Sequence, residues 1–154
     1  MSTVAVRLVD AAADLAAAYA IRDEVFVVEQ GVPVELERDE RDADAEHFLV
    51  LVDGEAVAAG RLVVEDAGYE GIDPGLGPVG HLGRLAVRAP FRGSGLGVAL
   101  VDALVERARE RGLRALYLGA QTHAVGFYRR LGFAVTGEVF DDAGIPHRHM
   151  VRVL

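Results

Sequence analysis

The chain of 154 residues contains no cysteine and no tryptophan, and none of its 16 basic residues is a lysine. Without cysteine there is no disulfide, no thiolate metal site and no cysteine nucleophile. Without lysine the Gly-Lys-Ser/Thr phosphate loop is excluded, because its lysine carries the β/γ-phosphates. For the same reason no lysine here can be self-modified. No apolar run approaches the roughly 18 residues of a membrane span, and no basic-then-apolar leader opens the chain. A cytoplasmic protein with no membrane partner is therefore expected. The net charge of −8 argues against nucleic acid, whose phosphates require clustered cations. It suits solubility, and it is compatible with a cationic substrate such as an amine.

The remaining composition is that of a globular protein, with 51% hydrophobic and 26% charged residues, and the length predicts one domain over 1–154 with a single core. Residues 3–9 read as a first strand. Asp10 is placed to cap a helix carrying Leu15, Ala18, Tyr19, Arg22 and Phe26 at helical spacing. Residues 29–46 hold seven acids between Glu35 and Glu46 together with Pro33, which predicts a solvated loop or a short broken helix. Its spacing lacks the glycine turn of an EF-hand; recruitment of a cationic amine is the other reading. Strands are predicted over 47–52 and 55–64, joined by a turn at Asp53-Gly54, and over 79–87 after a Gly/Pro-rich loop at 68–78. A helix over 95–111 presents Leu100, Val101, Leu104, Val105 and Ala108 on one face and ends at Gly112. A short strand at 113–118, a helix from Thr122 to Leu131 and a terminal hairpin at 133–154 complete the chain. The order β-α-loop-β-β-β-α-β-α-β-β predicts an α/β fold with a mixed, mostly antiparallel sheet and flanking helices.

Gly93, Gly95 and Gly97 stand at the mouth of the 95–111 helix, just after Arg92. Glycines let the backbone turn successive N–H groups toward one point, and the helix dipole favours an anion there. A Rossmann dinucleotide site fits poorly, since the third glycine comes one place early and the next strand ends without an acid. The remaining pattern is Arg-x-x-Gly-x-Gly, met by Arg92, Gly95 and Gly97, whose N–H groups suit the pyrophosphate of coenzyme A. His147 and His149 alternate on the last strand, but with no third ligand evident no metal is expected.

The stretch LGRLAVRAPFRGSGLGVALV resembles the acyl-CoA motif of the GNAT superfamily of N-acetyltransferases, and AQTHAVGFYRRLGF resembles its second signature. With the matching element order, the resemblance covers nearly the whole chain. RDEVFVVEQGVP, the acids after it and His47 are similar more narrowly to the ElaA-like branch. The resemblance implies a GNAT-like acyl-CoA N-acyltransferase fold, with acetyl-CoA held where a parallel strand pair splays apart. The backbone of Leu85, Ala86 and Val87 would pair with the pantetheine and polarise the thioester carbonyl. The N–H groups of Arg92, Gly93, Ser94, Gly95, Leu96 and Gly97 would take the pyrophosphate, with Gln121 and Phe127 also on the donor. On the acceptor side the same resemblance places Gln30, His47 and Arg84; a salt bridge is the other reading of Arg84.

The implied activity is acetyl transfer from acetyl-CoA to a primary amine, on a small molecule or a peptide, by direct attack. Tyr128 is the expected proton donor. Many relatives carry a glutamate base on the strand before the glycine loop, but that strand here reads His81-Leu-Gly-Arg84-Leu. Glu29 and His81 are the candidate bases, with His47 as a third. An acetyl-CoA-binding regulatory module with little turnover is the alternative function. Both a monomer and a homodimer, joined at exposed strand edges, are compatible with the sequence.

Overall fold

Seven strands form among the described residues, the central ones as near-continuous buried apolar runs. They are β1 (Val4–Leu8), β2 (Glu46–Val52), β3 (Glu55–Glu65), β4 (Val79–Val87), β5 (Ala115–Gln121), β6 (Ala134–Asp142) and β7 (Ile145–Val153). In the computed structural model, which describes residues 2–66 and 69–154, these form one sheet in the order β1-β2-β3-β4-β5-β7-β6. The predicted 68–78 loop thus begins, at Gly68, outside the described residues. All neighbouring strands are antiparallel except β4 and β5. The predicted mixed, mostly antiparallel sheet with one parallel pair is the fold observed.

Among the described residues four α-helices flank the sheet: α1 (Ala12–Arg22), α2 (Val34–Glu37), α3 (Leu96–Glu110) and α4 (Val125–Arg130). The face predicted for α3 is the face it buries. Leu100, Val101, Leu104, Val105 and Ala108 pack on Phe48, Val50, Leu62, Leu82, Leu116 and Leu118 of the sheet. On the opposite side α1 sets Ala18 and Ile21 against Leu49, Leu51, Ala59 and Ala86. Farther along that side, the segment around Tyr69 and Ile72 covers Val79, Ala115 and Tyr117.

Two helix starts differ from expectation. Asp10 does not cap α1: Ala11 occupies that position with no side-chain cap. Charge support comes instead from Asp14 in the first turn, which accepts two hydrogen bonds from Arg7 of β1. Thr122 opens a short 3-10 turn rather than capping a helix, so α4 begins only at Val125 and is brief. Past Arg22 the chain continues as seven residues of π-helix (Asp23–Glu29), a winding that concentrates at functional sites.

The acidic run forms the short broken helix rather than the solvated loop, with α2 and the 3-10 turn Glu40–Ala43 following Pro33. Glu37 and Asp42 are buried, at 2% and 9% exposure, beside the buried Arg22 and Arg61. Arg22 Nε donates to Glu37 Oε1 at 2.5 Å, and its Nη1 and Nη2 donate to the two Asp42 oxygens at 2.7 and 3.1 Å. Arg61 donates to Asp39 at 2.7 and 2.8 Å and to Asp42 at 2.7 Å. Arg38 pairs with Glu37 and Asp23 and lies over the Tyr19 ring. The acids stand together in the sequence, whereas their arginines arrive from α1, β3 and β4. Burial opposes the charged form of Asp42, but the hydrogen bonds from Arg22 and Arg61 outweigh it and hold the carboxyl well below its usual range. The Arg61 hydrogen bonds depress Asp39 likewise.

Carboxyls with depressed folded pKa values stabilise the fold above their unfolded value near 4, and that stability drains away as pH falls through the folded value. Arg22→Met removes one partner and leaves buried charge uncompensated, so it is expected to cost about 3–5 kcal/mol at pH 7. Urea denaturation checks this, and the same substitution is expected to cost less at pH 3, where protonation of the unfolded chain has already removed part of the stability that the ionised carboxylates give.

Candidate acetyl-transfer site

The site begins with a defect in β4. Arg84 has φ +52, and the register with β3 slips between Ala59↔Ala86 and Arg61↔Gly83. Two residues of β4 thus oppose Gly60 alone, which is a β-bulge. The alternation shifts with it: Leu82 and, three residues later, Leu85 both pack toward α3. The site opposite is tight: a Cβ on Gly60 would stand 3.2 Å from both Leu85 and Leu104. Below the bulge β4 pairs with β5 through Gly80↔Leu116 and His81↔Tyr117, and no further rung forms. Beyond it the two strands diverge.

A cavity of about 890 Å³ passes through this gap. On the α3 side it is lined by Gly93, Gly95, Leu96, Gly97, Phe127 and Tyr128. Gly95 caps α3 at φ +83 with no side-chain cap, and Gly93 has φ +81. The first intrahelical bond runs from Ala99 N–H to the Gly95 carbonyl, so the N–H groups of the first turn are left for a ligand. A Cβ on Gly97 would lie 3.2 Å from the Phe127 ring. Inside the gap stand Leu85, Ala86, Val87, Gly119 and Gln121. On the far face, His81, Tyr117, Phe140, His147 and His149 line the other half.

Arg92 is fixed from two sides. Its Nε donates to the Val87 carbonyl at 2.8 Å and its Nη2 to Glu29 at 2.9 Å. Ser94 does not line the cavity; its hydroxyl donates to the Phe91 carbonyl and braces the turn. Gln30 does line it, and accepts from the Gln121 amide at 2.8 Å across the gap.

Of the candidate bases, the structure brings only His81 into the cavity. Glu29 lies outside it, because its carboxylate is turned onto Arg92. His47 also lies outside: it is buried against Tyr19 on the α1 face, with Nε2 2.9 Å from the Asp42 carbonyl oxygen. Arg84 lines the cavity, and its guanidinium is engaged by the Glu37 carbonyl at 3.0 Å and by Asp39 at 3.2 Å, the salt bridge that is the other reading of this residue. Burial lowers the pKa of His81; Glu65 works the other way and does not prevail. Burial alone drives the Tyr128 hydroxyl far above its ordinary value.

Glu65 carries no local sequence signal of a site residue. It lies diagonally across from His81 on β3, two residues beyond Val63, the direct partner of His81. Aligning the two strand ends is the signal that would have found it. The aromatic group carries none either: Tyr117 stacks on His81 at 4.3 Å and Phe140 on His149 at 4.0 Å. Among the described residues no cluster of three or more His, Asp or Glu is arranged to hold a metal.

Residues 10–133 match the family model described as "Acetyltransferase (GNAT) family". The chain belongs to the GNAT family of acetyltransferases. A relative named "uncharacterized N-acetyltransferase YjcF", from Bacillus subtilis, is 41% identical over 88% of this chain and 89% of its own. The crystal structure of Escherichia coli ElaA is similar across 99% of both chains, with a TM-score of 0.80 and 30% identity. A GNAT family acetyltransferase from Elizabethkingia anophelis, solved with acetyl-CoA bound, shares the fold at a TM-score of 0.67 and 15% identity over 98% of both chains. No helix among the described residues is long and apolar enough to cross a membrane.

Gly80 sits where β4 and β5 still pair, and a Cβ there would stand 2.7 Å from Leu116 and 3.0 Å from Leu62. Gly80→Val is expected to destabilise the fold by about 1–3 kcal/mol through overpacking, measured as a lower denaturation midpoint with an unchanged slope.

Proposed function

We propose that the protein transfers the acetyl group of acetyl-CoA to a primary amine, by direct attack of the amine on the thioester. The observation that carries this reading is the cavity through the β4–β5 gap, with an uncapped glycine turn of α3 at one end. The residues present suit the donor. The first-turn N–H groups of α3 and the turn from Arg92 to Gly97 would take the pyrophosphate. The backbone of Leu85 and Val87 would pair with the pantetheine as an added strand pairs with a sheet edge, the Val87 carbonyl being shared with Arg92. A protein of the same fold carries acetyl-CoA, which supports the assignment.

On the far face the amine, from a small molecule or a peptide, would enter beside His81 and Tyr117. His81, neutral at pH 7 because burial disfavours its charge, takes a proton from the incoming ammonium. The amine nitrogen attacks the thioester carbonyl and the C–S bond breaks. Tyr128 gives its hydroxyl proton to the departing thiolate. A tyrosinate this strongly disfavoured recovers a proton at once from the nitrogen of the adduct. Two protons leave the ammonium, one by way of His81 to solvent and one to the thiol by way of Tyr128.

Calorimetry tests the donor assignment. Wild type is expected to bind acetyl-CoA and not NADH. Gly95→Asp, which sets a side chain at φ +83 and a negative charge at the pyrophosphate site, is expected to abolish binding. Absence of acetyl-CoA binding by the wild type overturns the reading. With an amine panel and a free-thiol assay, Tyr128→Phe is expected to lower kcat about 10²-fold while leaving acetyl-CoA affinity unchanged. Acetyl-CoA binding without turnover on any amine would instead favour a regulatory module.

A further inference from the structure

His81 is held by groups from three other elements. Its ring stacks on Tyr117 of β5, centroids 4.3 Å apart and planes 15° apart. Tyr117 is itself sandwiched, with Tyr69 on its other face at 3.6 Å. The Tyr117 hydroxyl donates to Glu65 Oε2, which leaves Oε1 for two partners. Arg41, from the 3-10 turn Glu40–Ala43, pairs with Oε1, and the His81 Nδ1 stands 3.4 Å from the same atom. A flat ring stacked on a tyrosine whose hydroxyl is tied to the carboxylate has little freedom to turn away from it.

We propose that Glu65 is the positioning carboxylate of His81: it keeps the ring proton on Nδ1, leaves Nε2 free as the base, and stabilises the imidazolium formed when the amine loses its proton. This inference rests on the acetyl-transfer reading above. The hydrogen bond made by one imidazole nitrogen decides which nitrogen is left to accept a proton. A contact of 3.4 Å is at the outer limit for a hydrogen bond, and such contacts tighten when substrate arrives. The proton moves from the ammonium nitrogen to Nε2, and the imidazolium then gives it to solvent, which reaches the ring at 27% side-chain exposure. Glu65 stays ionised throughout. Burial pushes its carboxyl up, but the Tyr117 hydroxyl, His81 and Arg41 outweigh burial and hold it low. Arg41 and Arg61 also face His81 and disfavour its charge, so Glu65 is the group that offsets them.

The test is Glu65→Gln, with Glu65→Asp as the rescue variant. Nitrogen-15 NMR of labelled imidazoles reads the tautomer and the titration of His81 directly, with no amine required. In the wild type the neutral ring is expected to carry its proton on Nδ1. In Glu65→Gln the Nδ1 preference is expected to weaken and the midpoint to move to lower pH, because the anion that raised it is gone. With a working amine, kcat/KM of Glu65→Gln is expected to fall about 10- to 100-fold, part of the 10²–10⁴ that a placed base contributes. The acidic limb of its pH profile is expected to shift down by the same interval as the NMR midpoint, and Glu65→Asp to recover part of the rate. Calorimetric binding of acetyl-CoA and an unchanged melting temperature show that the variant is folded. Turnover by the wild type with the same His81 tautomer and midpoint in Glu65→Gln overturns the role of Glu65 alone. Failure of the wild type on every amine overturns the acetyl-transfer reading and, with it, the catalytic use of the pair.

Discussion

Everything distinctive about this sheet follows from the point at which β4 and β5 stop pairing. Adjacent parallel strands normally satisfy each other's backbone groups along their length. Here two rungs form, and then Arg84 takes a left-handed conformation that turns the rest of β4 aside. Such a conformation is strained for a residue with a side chain and persists only where surrounding contacts enforce it. Those contacts are visible on both sides. Leu85 is drawn onto α3 opposite Gly60. The Arg84 side chain is drawn the other way, onto the Glu37 carbonyl and Asp39. The gap that results has unpaired strand backbone on its walls and the N-terminus of α3 at its end.

The arginine–carboxylate network is the counterpart of that gap. The segment at 34–46 has too few apolar residues to anchor itself by burial. It is fixed by charge, through Arg22, Arg61 and Arg84 from three separate elements. A buried pair of this kind gains little against a well-packed apolar core, but it is costly to break and demanding in geometry. The geometry is what the site uses. Asp39 and Glu37 hold Arg84 at the bulge, and Arg41 in the same segment reaches Glu65 behind His81. The acidic run thus determines where β4 bends and what stands behind its histidine.

What was legible in the sequence was local. The glycine turn, the apolar face of α3 and the span of β4 each depend on residues within a few positions, so periodicity and turn chemistry find them. What was not legible depends on partners distant in the chain. Acids read without their arginines look solvated, whereas Arg22 and Arg61, close to 20 positions away on either side, bury them. Glu29 and His47 are the right residue types for a base, and spacing does not reveal that each meets a neighbour, Arg92 and the Asp42 carbonyl. The bulge at Arg84 has no strong local signal, because what enforces it is packing above and ion pairing below. Glu65 ends a strand beside a glycine-rich loop, where a charge is ordinary. Only the register of β3 against β4 makes it the neighbour of His81.

The two proton-handling groups of the proposed reaction are set apart by burial acting on opposite charge types. Removing water disfavours the ionised form of each: the anion for tyrosine, the cation for histidine. Burial therefore raises Tyr128 and lowers His81, which favours the neutral form of each. That is the pairing the chemistry needs, an uncharged acid on the thiolate side of the gap and an uncharged base on the amine side. In the proposed reaction the order of the two transfers follows from this: only an uncharged His81 can free the amine for attack, and only an uncharged Tyr128 can protonate the thiolate that the attack expels.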